Sequence, residues 1–281
     1  MAAAIRLVSA LAAAAAALFA APAAADEVAP ELEAADLRAK AQGELKRITA
    51  ALPAADQRRV RGVYVAFHPD ASDPFALAAC DDDGDYVLVV SDAMLRLVSN
   101  VARAQSYDDA NGSRKIEDYA AFLARTQLQG RRLLPPPPGF YVAELAAATY
   151  DDRLRESLAF VVARELTHIR VGQLVCPHPT ATKEAGDDAW TPAEHRHALE
   201  LVAHLYPGRG AHDDEATVRV LDAGLPEDGA LGLLRLFGQL EAEQRLAVSR
   251  FAPTYRSLYP QSALRASAVR AAADGHRAAS D

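Results

Sequence analysis

The sequence predicts an α+β fold that is mostly helical, with one small β-sheet near its beginning. Apolar residues recur at helical spacing over most of the chain, whereas alternating β-branched segments are confined to residues 62–90. Pro and Gly residues separate these segments. A group of strands followed by a group of helices is typical of α+β domains.

Residues 1–25 are predicted to be a signal peptide. Arg6 supplies a short basic segment, Leu7 to Ala21 is rich in Ala and Leu, and three Ala residues precede Asp26. This apolar run is too short for a lasting transmembrane span, and no Cys stands at the cleavage point to carry a lipid. We therefore expect an exported protein, periplasmic or extracellular, with no stable membrane anchor and a single domain over residues 26–281.

Local patterns predict the elements in order. Helical spacing predicts a helix over residues 31–52, which Pro53 ends. Three strands are predicted from alternation and β-branching, over residues 62–67, 75–79 and 86–90. Later helices are predicted from capping residues, apolar spacing and Pro or Gly stops, over residues 93–104, 115–126, 152–175, 191–205, 213–224, 225–248 and, closing the chain, 254–277.

Three connecting segments have distinctive compositions. Residues 108–113 are polar and predict a loop. Pro135–Pro138 must be extended; such a run can be a ligand for aromatic grooves, but the flanking Leu, Phe and Tyr residues favour a rigid packed connector. Cys80–Asp85 carries four Asp residues, which could suggest calcium. The segment lacks the regular ligand spacing and terminal Glu of a calcium loop, so a hairpin turn is favoured.

The net charge limits the classes of partner that this protein can bind, and the two cysteines limit the disulfides that it can form. After removal of residues 1–25 the formal charge is −9, from 29 Lys and Arg against 38 Asp and Glu. This balance argues against nucleic acid and anionic membranes as partners. The only cysteines, Cys80 and Cys176, would share an oxidising compartment if the chain is exported, so they can form a disulfide or remain two buried thiols.

The segment Arg164-Glu-Leu-Thr-His168 is the most informative part of the chain. Glu-x-x-His alone is a short pattern, and it occurs again at Glu194 and His197, where the Glu is explained as a capping-box acid. The first copy follows a strongly apolar helical stretch. We therefore expect its ionisable side chains to lie in or near the core, where they must be paired or functional.

Two segments together, residues 159–172 and 213–217, resemble the M48 peptidases, a family of zinc metallopeptidases of the gluzincin type. Other segments resemble this family in the same order, so that the resemblance covers most of residues 60–270; they are residues 73–77, 87–95, 222–234 and 259–265. The resemblance implies a zincin-like metallopeptidase domain: a small sheet, a long motif helix, and a second helix packed across it.

The resemblance also implies residue roles. Glu165 matches the general base that polarises a zinc-bound water, and His168 and Glu215 match two zinc ligands. Arg164 stands where the family has its first His ligand. A guanidinium offers only donors and cannot bind a cation, and two remaining ligands are fewer than the usual three. Three further positions also depart from the family pattern, which weakens the site further; they are Gln173, Thr217 and Tyr259.

Arg164 can instead replace the metal electrostatically. Its positive charge would then bind Glu165 or Glu215 and keep a buried carboxylate paired. Alternatively, another histidine could supply the missing ligand. The histidines between the two motif helices that could do so are His178, His195, His197, His204 and His212.

These observations predict an exported M48-like protein that is catalytically impaired because of Arg164, with polypeptide or unfolded protein as its partner. Such a protein could bind an extended chain by strand addition to its sheet. The alternative is an active zinc metalloendopeptidase with a non-standard ligand set. Zinc is the cofactor expected for an active enzyme, and an impaired protein can have none. A purely structural exported protein is the third possibility.

Overall fold

The computed structural model describes residues 30–126, 133–142, 147–176, 212–244 and 261–280. Ala34–Asp281 form one compact unit by the density of their contacts; of the other unit, Met1–Glu33, only the first residues of a helix are described. The predicted signal peptide and the predicted helix over residues 191–205 lie outside the described residues.

The described ranges contain helices with one small sheet, which confirms the predicted α+β class. The elements, in chain order, are α1 (Pro30–Ala51), α2 (Ala54–Arg59), β1 (Tyr64–His68), β2 (Ala76–Cys80), β3 (Tyr86–Ser91), α3 (Asp92–Asn111), α4 (Lys115–Thr126), α5 (Ala147–Arg170), α6 (Asp213–Asp222), α7 (Asp228–Gln244) and α8 (Ser262–Ser280).

The three strands form a mixed sheet in the order β1-β3-β2. β1 runs parallel to β3, with Tyr64 opposite Val87, and β2 runs antiparallel to β3, with Ala76 opposite Val90. The central strand is buried from Val87 onward, because α5 and α3 both pack against it. A strand that other elements cover on both faces typically consists of consecutive apolar residues, as residues 87–90 of β3 do.

The turn predicted between β2 and β3 is confirmed. The Asp81 carboxylate holds the turn together. One of its oxygens accepts hydrogen bonds from the backbone N–H groups of Asp83 and Asp85 at 3.0 and 2.8 Å, and the other accepts one from the Tyr64 hydroxyl at 2.8 Å. Gly84 has a φ of 82°, which a glycine adopts without strain. The Asp81 carboxylate thus acts as a turn-forming acceptor.

Several predicted boundaries were wrong, and one helix was not predicted. Helix α3 continues through the predicted loop to Asn111 and ends at Gly112, whose φ of 62° and bond to the Asp108 carbonyl close the helix. Helix α2 was not predicted. Helix α5 begins before residue 152 and ends at Arg170 instead of continuing to residue 175, because Gly172 has a φ of 74° and turns the chain.

Helix α5 lies at the centre of the described structure. It contacts the sheet and four other helices, α2, α3, α6 and α7. The approach of α7 is close: a Cβ atom added at Gly229 would collide with the backbone of Ser157 and with Glu156. This close approach lies just before the C-terminal half of α5, and that half carries the motif.

Candidate functional site

The C-terminal half of α5 holds the motif residues in the core. Leu158 to Ala163 are all buried, and Arg164, Glu165 and His168 follow with only 5%, 1% and 4% of their surface exposed. The predicted burial of these three ionisable side chains is confirmed. Burial of charges at this depth requires partners, because an unpaired charge in the interior is strongly unfavourable.

Arg164 pairs with the neighbouring carboxylate. Its Nη1 donates to Glu165 Oε1 at 2.8 Å, and its Nε lies 3.8 Å from Asp213 Oδ1. The prediction that Arg164 binds Glu165 is confirmed. Its second carboxylate partner is Asp213 at the start of α6 and not Glu215.

Asp213 is held by a second arginine. Arg265 of α8 donates from both Nε and Nη2 to the two carboxylate oxygens of Asp213, with Nη2 2.5 Å from Oδ1. Asp213 and Arg265 are 1% and 6% exposed. Arg164, Glu165, Asp213 and Arg265 thus form a buried charge network of two acids and two bases, which connects α5, α6 and α8. Bidentate pairing of this kind is among the stronger charge-assisted arrangements.

Glu215 lies outside the charge network. Its side chain is 39% exposed and pairs with Arg170, which also donates to Asp56 in α2 at 3.1 Å. Two residues along a helix turn the side chain by about 200°, so Asp213 and Glu215 face nearly opposite directions. The inward face of α6 consists of Asp213, Ala216, Thr217 and Val220.

The ring of His168 is positioned by the turn that ends α5. After Gly172 the chain folds back, so that the Gln173 N–H donates to the His168 carbonyl at 3.0 Å and Gln173 Oε1 lies 2.7 Å from His168 Nδ1. Where the amide oxygen accepts at this contact, Nδ1 of the ring is the donor. Nε2 lies 4.0 Å from Glu165 Oε2.

His212 is the second histidine of the site. Its ring lies 5.2 Å from that of His168, centroid to centroid, at 76°. Burial holds the pKa of His212 below its ordinary value, and the nearby His168 and the charges of Arg164 and Arg170 lower it further, with Asp214 opposing. The other four histidines considered as replacement ligands lie outside the described residues.

The residues at this site do not fit the three-ligand zinc centre that the family resemblance implies. Arg265 donates to both carboxylate oxygens of Asp213, and Arg164 donates to Glu165. Glu215 forms its ion pair with Arg170. A zinc ion among these groups would lie beside two fixed guanidinium charges. Within the described ranges, no cluster of three or more His, Cys, Asp or Glu side chains has a geometry that could hold a metal ion.

A disulfide connects the sheet to the site. Cys80, at the end of β2, is bonded to Cys176, three residues after Gln173. Of the two states that the sequence left open, the structure contains the bridge. It constrains the segment that follows α5 and therefore the turn that brings Gln173 to His168.

The sequence did not predict two residues of the charge network, Asp213 and Arg265. A signal for the first was present, because Asp213 shares helical spacing with Ala216, Thr217 and Val220. Arg265 gave no such signal. It is one of several arginines in an Ala-rich segment, and only the packing of α8 against α6 brings it to Asp213.

Comparisons of this chain with protein-family models, with curated proteins and with solved structures found no match. Among the described helices, none is both long and apolar enough to cross a membrane.

Proposed function

We propose that this chain is an exported, catalytically impaired relative of the M48 metallopeptidases, in which arginine charges replace the metal ion as the partner of the buried carboxylates. The observation that carries the proposal is the Arg164–Glu165 hydrogen bond of 2.8 Å at 5% and 1% exposure. In this hydrogen bond, the carboxylate that would act as general base accepts from the residue that stands in place of the first zinc ligand.

The chemistry of the pair supports loss of hydrolysis. A general base must reach the water whose proton it takes, and Oε1 of Glu165 already accepts a hydrogen bond from Arg164. The guanidinium also supplies no coordination site for activation of water.

The proposed activity is binding of extended polypeptide without cleavage. Strand β1 flanks β3 and keeps Ala66 and Phe67 partly exposed, whereas β2 is buried from Ala76 to Ala79. Strand addition to an outer strand such as β1 is a general mode of peptide recognition. A net negative charge favours partners without a strongly acidic character.

Metal content and proteolysis test the proposal. The purified mature protein should contain far less than one zinc per chain and should leave casein uncut, with Glu165→Ala as the matched control for any residual cleavage. Arg164→His is the informative variant, because it restores an imidazole at the first-ligand position. A parent protein with about one zinc per chain, whose casein cleavage is lost in Glu165→Ala, would refute the proposal.

Polypeptide binding needs a separate measurement. Reduced, carboxymethylated α-lactalbumin is a permanently unfolded probe, and the mature protein should retain it in sedimentation or light-scattering assays without shortening it. Equal retention of the folded, disulfide-bonded form would show that the binding is not selective for extended chain.

One observation favours the alternative, an active zinc endopeptidase. His212 and His168 approach each other at 5.2 Å between ring centroids, and the lowered pKa of His212 keeps its imidazole neutral, as a zinc ligand requires. This alternative predicts that His212→Ala removes both zinc and cleavage, whereas the proposed metal-free protein is unaffected in either assay.

A further inference from the structure

A second site lies on a different face of α3 and α5, far from the charge network. The chain has nine tyrosines scattered along its length, and the fold gathers four of them into what we call the tyrosine cluster: Tyr107, Tyr119, Tyr141 and Tyr150. Tyr150 is 14 residues before Arg164 on α5. That spacing separates the two sites by about 21 Å along the helix.

Helix α3 forms the base of the cluster. Ser99, Asn100, Arg103 and Tyr107 project from neighbouring turns of one helix face. Ser99 Oγ lies 2.8 Å from the Tyr150 hydroxyl of α5, and Asn100 Nδ2 donates to the Tyr119 hydroxyl of α4 at 3.0 Å.

The extended segment over residues 133–142 closes the cluster. The Tyr119 hydroxyl donates to the carbonyl of Leu134 at 3.0 Å, and the Val142 N–H donates to the Tyr107 hydroxyl at 3.3 Å. The Phe140 and Tyr141 rings meet edge to face at 4.9 Å, and the Tyr141 ring lies 5.2 Å from that of Tyr107. The Pro-containing segment is therefore a packed connector, as predicted, and it presents two aromatic rings.

Three of the four hydroxyls have a hydrogen-bond partner, and the fourth does not. The Tyr141 hydroxyl is buried and has no partner among the residues that the structure describes. Burial raises its pKa, and the positive charge of Arg103 opposes that rise. Tyr141 is therefore a neutral phenol at physiological pH, with a proton to donate and no acceptor. A buried polar atom without a partner is destabilising, and such atoms are rare in folded proteins.

Arg103 is the complementary group. Its guanidinium carbon lies 5.7 Å above the Tyr150 ring, and its charge acts on the hydroxyls of both Tyr119 and Tyr141. In the described part of the chain it forms no ion pair with a carboxylate, unlike Arg153 one turn from Tyr150, which binds three acids. Among the residues that the structure describes, the cluster thus holds a cation without a carboxylate partner and a phenol without an acceptor.

We propose that the tyrosine cluster with Arg103 binds a carboxylate carried on an aromatic or apolar body. One carboxylate satisfies both groups, because it accepts from the guanidinium and from the Tyr141 hydroxyl. The half-buried rings of Phe140, Tyr141 and Tyr150 supply aromatic surface for the rest of the ligand. Asp108 places a negative charge near Tyr141, which favours a single negative charge on the ligand over the double charge of a phosphate.

This inference is independent of the proposed polypeptide binding. Two sources carry the same chemistry: a free aromatic acid and the C-terminal carboxylate of a peptide with an apolar last residue. Both present one negative charge next to an apolar group.

Binding of N-acetyl-phenylalanine to the mature protein, followed by ligand-observed NMR or calorimetry, tests the site. Saturable binding is expected, and the neutral N-acetyl-phenylalanine amide should bind at least about tenfold more weakly, because it lacks the charge that Arg103 recognises. Arg103→Gln should weaken binding of the acid by a similar factor. Arg125→Gln is the matched control, since Arg125 is exposed on α4 outside the cluster.

Tyr141→Phe separates binding from folding. It removes a hydroxyl that has no partner among the described residues, so the variant should be at least as stable as the parent while binding the acid several-fold more weakly. Tyr86→Phe, in strand β3, is the control and should bind as the parent does.

A peptide that ends in Phe identifies the source. Tighter binding than N-acetyl-phenylalanine indicates a peptide C-terminus, and equal binding indicates a small acid. The proposal is overturned if the acid shows no saturable binding, if the amide binds as well as the acid, or if Arg103→Gln binds as the parent does. None of these results bears on zinc content or casein cleavage, so this proposal and the proposed function can fail separately.

Discussion

Replacement of Arg164 by Ala is the most direct perturbation of the charge network. The variant leaves Glu165 at 1% exposure without the guanidinium that donates to it at 2.8 Å, and it removes a positive charge 3.8 Å from Asp213. Loss of one partner from a buried ion pair costs about 3–5 kcal/mol. The lower figure applies here, because Asp213 keeps its bidentate bond to Arg265.

A loss of about 3 kcal/mol is a large part of the stability of a typical domain. For a chain of this length it corresponds to a decrease in the melting temperature of roughly 6–12 °C. Urea unfolding of the mature protein, followed by circular dichroism, measures the change as a shift of the midpoint at constant slope.

The double variant Arg164→Met with Glu165→Leu is the control. It removes both charges and fills the site with apolar side chains of similar volume, so it should recover much of the stability lost in Arg164→Ala. If Arg164→Ala unfolds at the same urea concentration as the parent, the arginine is not compensating a buried carboxylate and the electrostatic account of the site is incorrect.

Three further predictions concern other parts of the structure. Asp213→Asn should lower stability by about 3 kcal/mol because Arg265 loses a buried charged partner, whereas Glu215→Gln, at a partly exposed ion pair, should change it by about 1 kcal/mol or less; equal effects in thermal unfolding would reverse the assignment of the two acids. Reduction of the Cys80–Cys176 disulfide, which spans 96 residues, should lower stability by up to about 4 kcal/mol, and a Cys80→Ala, Cys176→Ala double variant should show no response to dithiothreitol. Burial raises the pKa of Glu44, with Arg47, Arg155 and Lys40 opposing. The folded state therefore binds the proton of this carboxyl more tightly than the unfolded state does. The protonated group stabilises the fold most below pH 4.5, and this contribution is lost as the pH rises through the folded pKa. Glu44→Gln should flatten this part of the curve of stability against pH, and an unchanged curve would contradict the assignment.

Much of the fold could be predicted because local patterns and packing agree. Residues 87–90 of strand β3 are apolar and buried, and the spacing of apolar residues in α4 is that of a helix with one buried face. The errors occurred where a single residue decides a boundary. Gly112 and Gly172 both adopt positive φ values and end helices, and the sequence does not show which of its 15 glycines do so.

For the site with the charge network, the sequence predicted which side chains of α5 are buried, but not all of their partners. The burial of Arg164, Glu165 and His168 follows from the apolar residues before them on the same helix. Which of Asp213 and Glu215 lies near Arg164 depends on the face of α6 that points inward: Asp213 is buried there, and Glu215 is 39% exposed and pairs with Arg170. The tyrosine cluster was not predicted, because its members come from three helices and the extended segment.

By itself, the sequence determined the α+β class, the position of the sheet, and the placement of a charged motif on a buried helix. These properties are local, because they depend on the periodicity of a few consecutive residues. Only the tertiary structure decided that Asp213 and Arg265 complete the charge network, that Cys80 and Cys176 are bonded, and that Arg103 lies over the Tyr150 ring without a carboxylate partner in the described residues. Each of these depends on contacts between residues far apart in the chain, and no local pattern specifies such contacts.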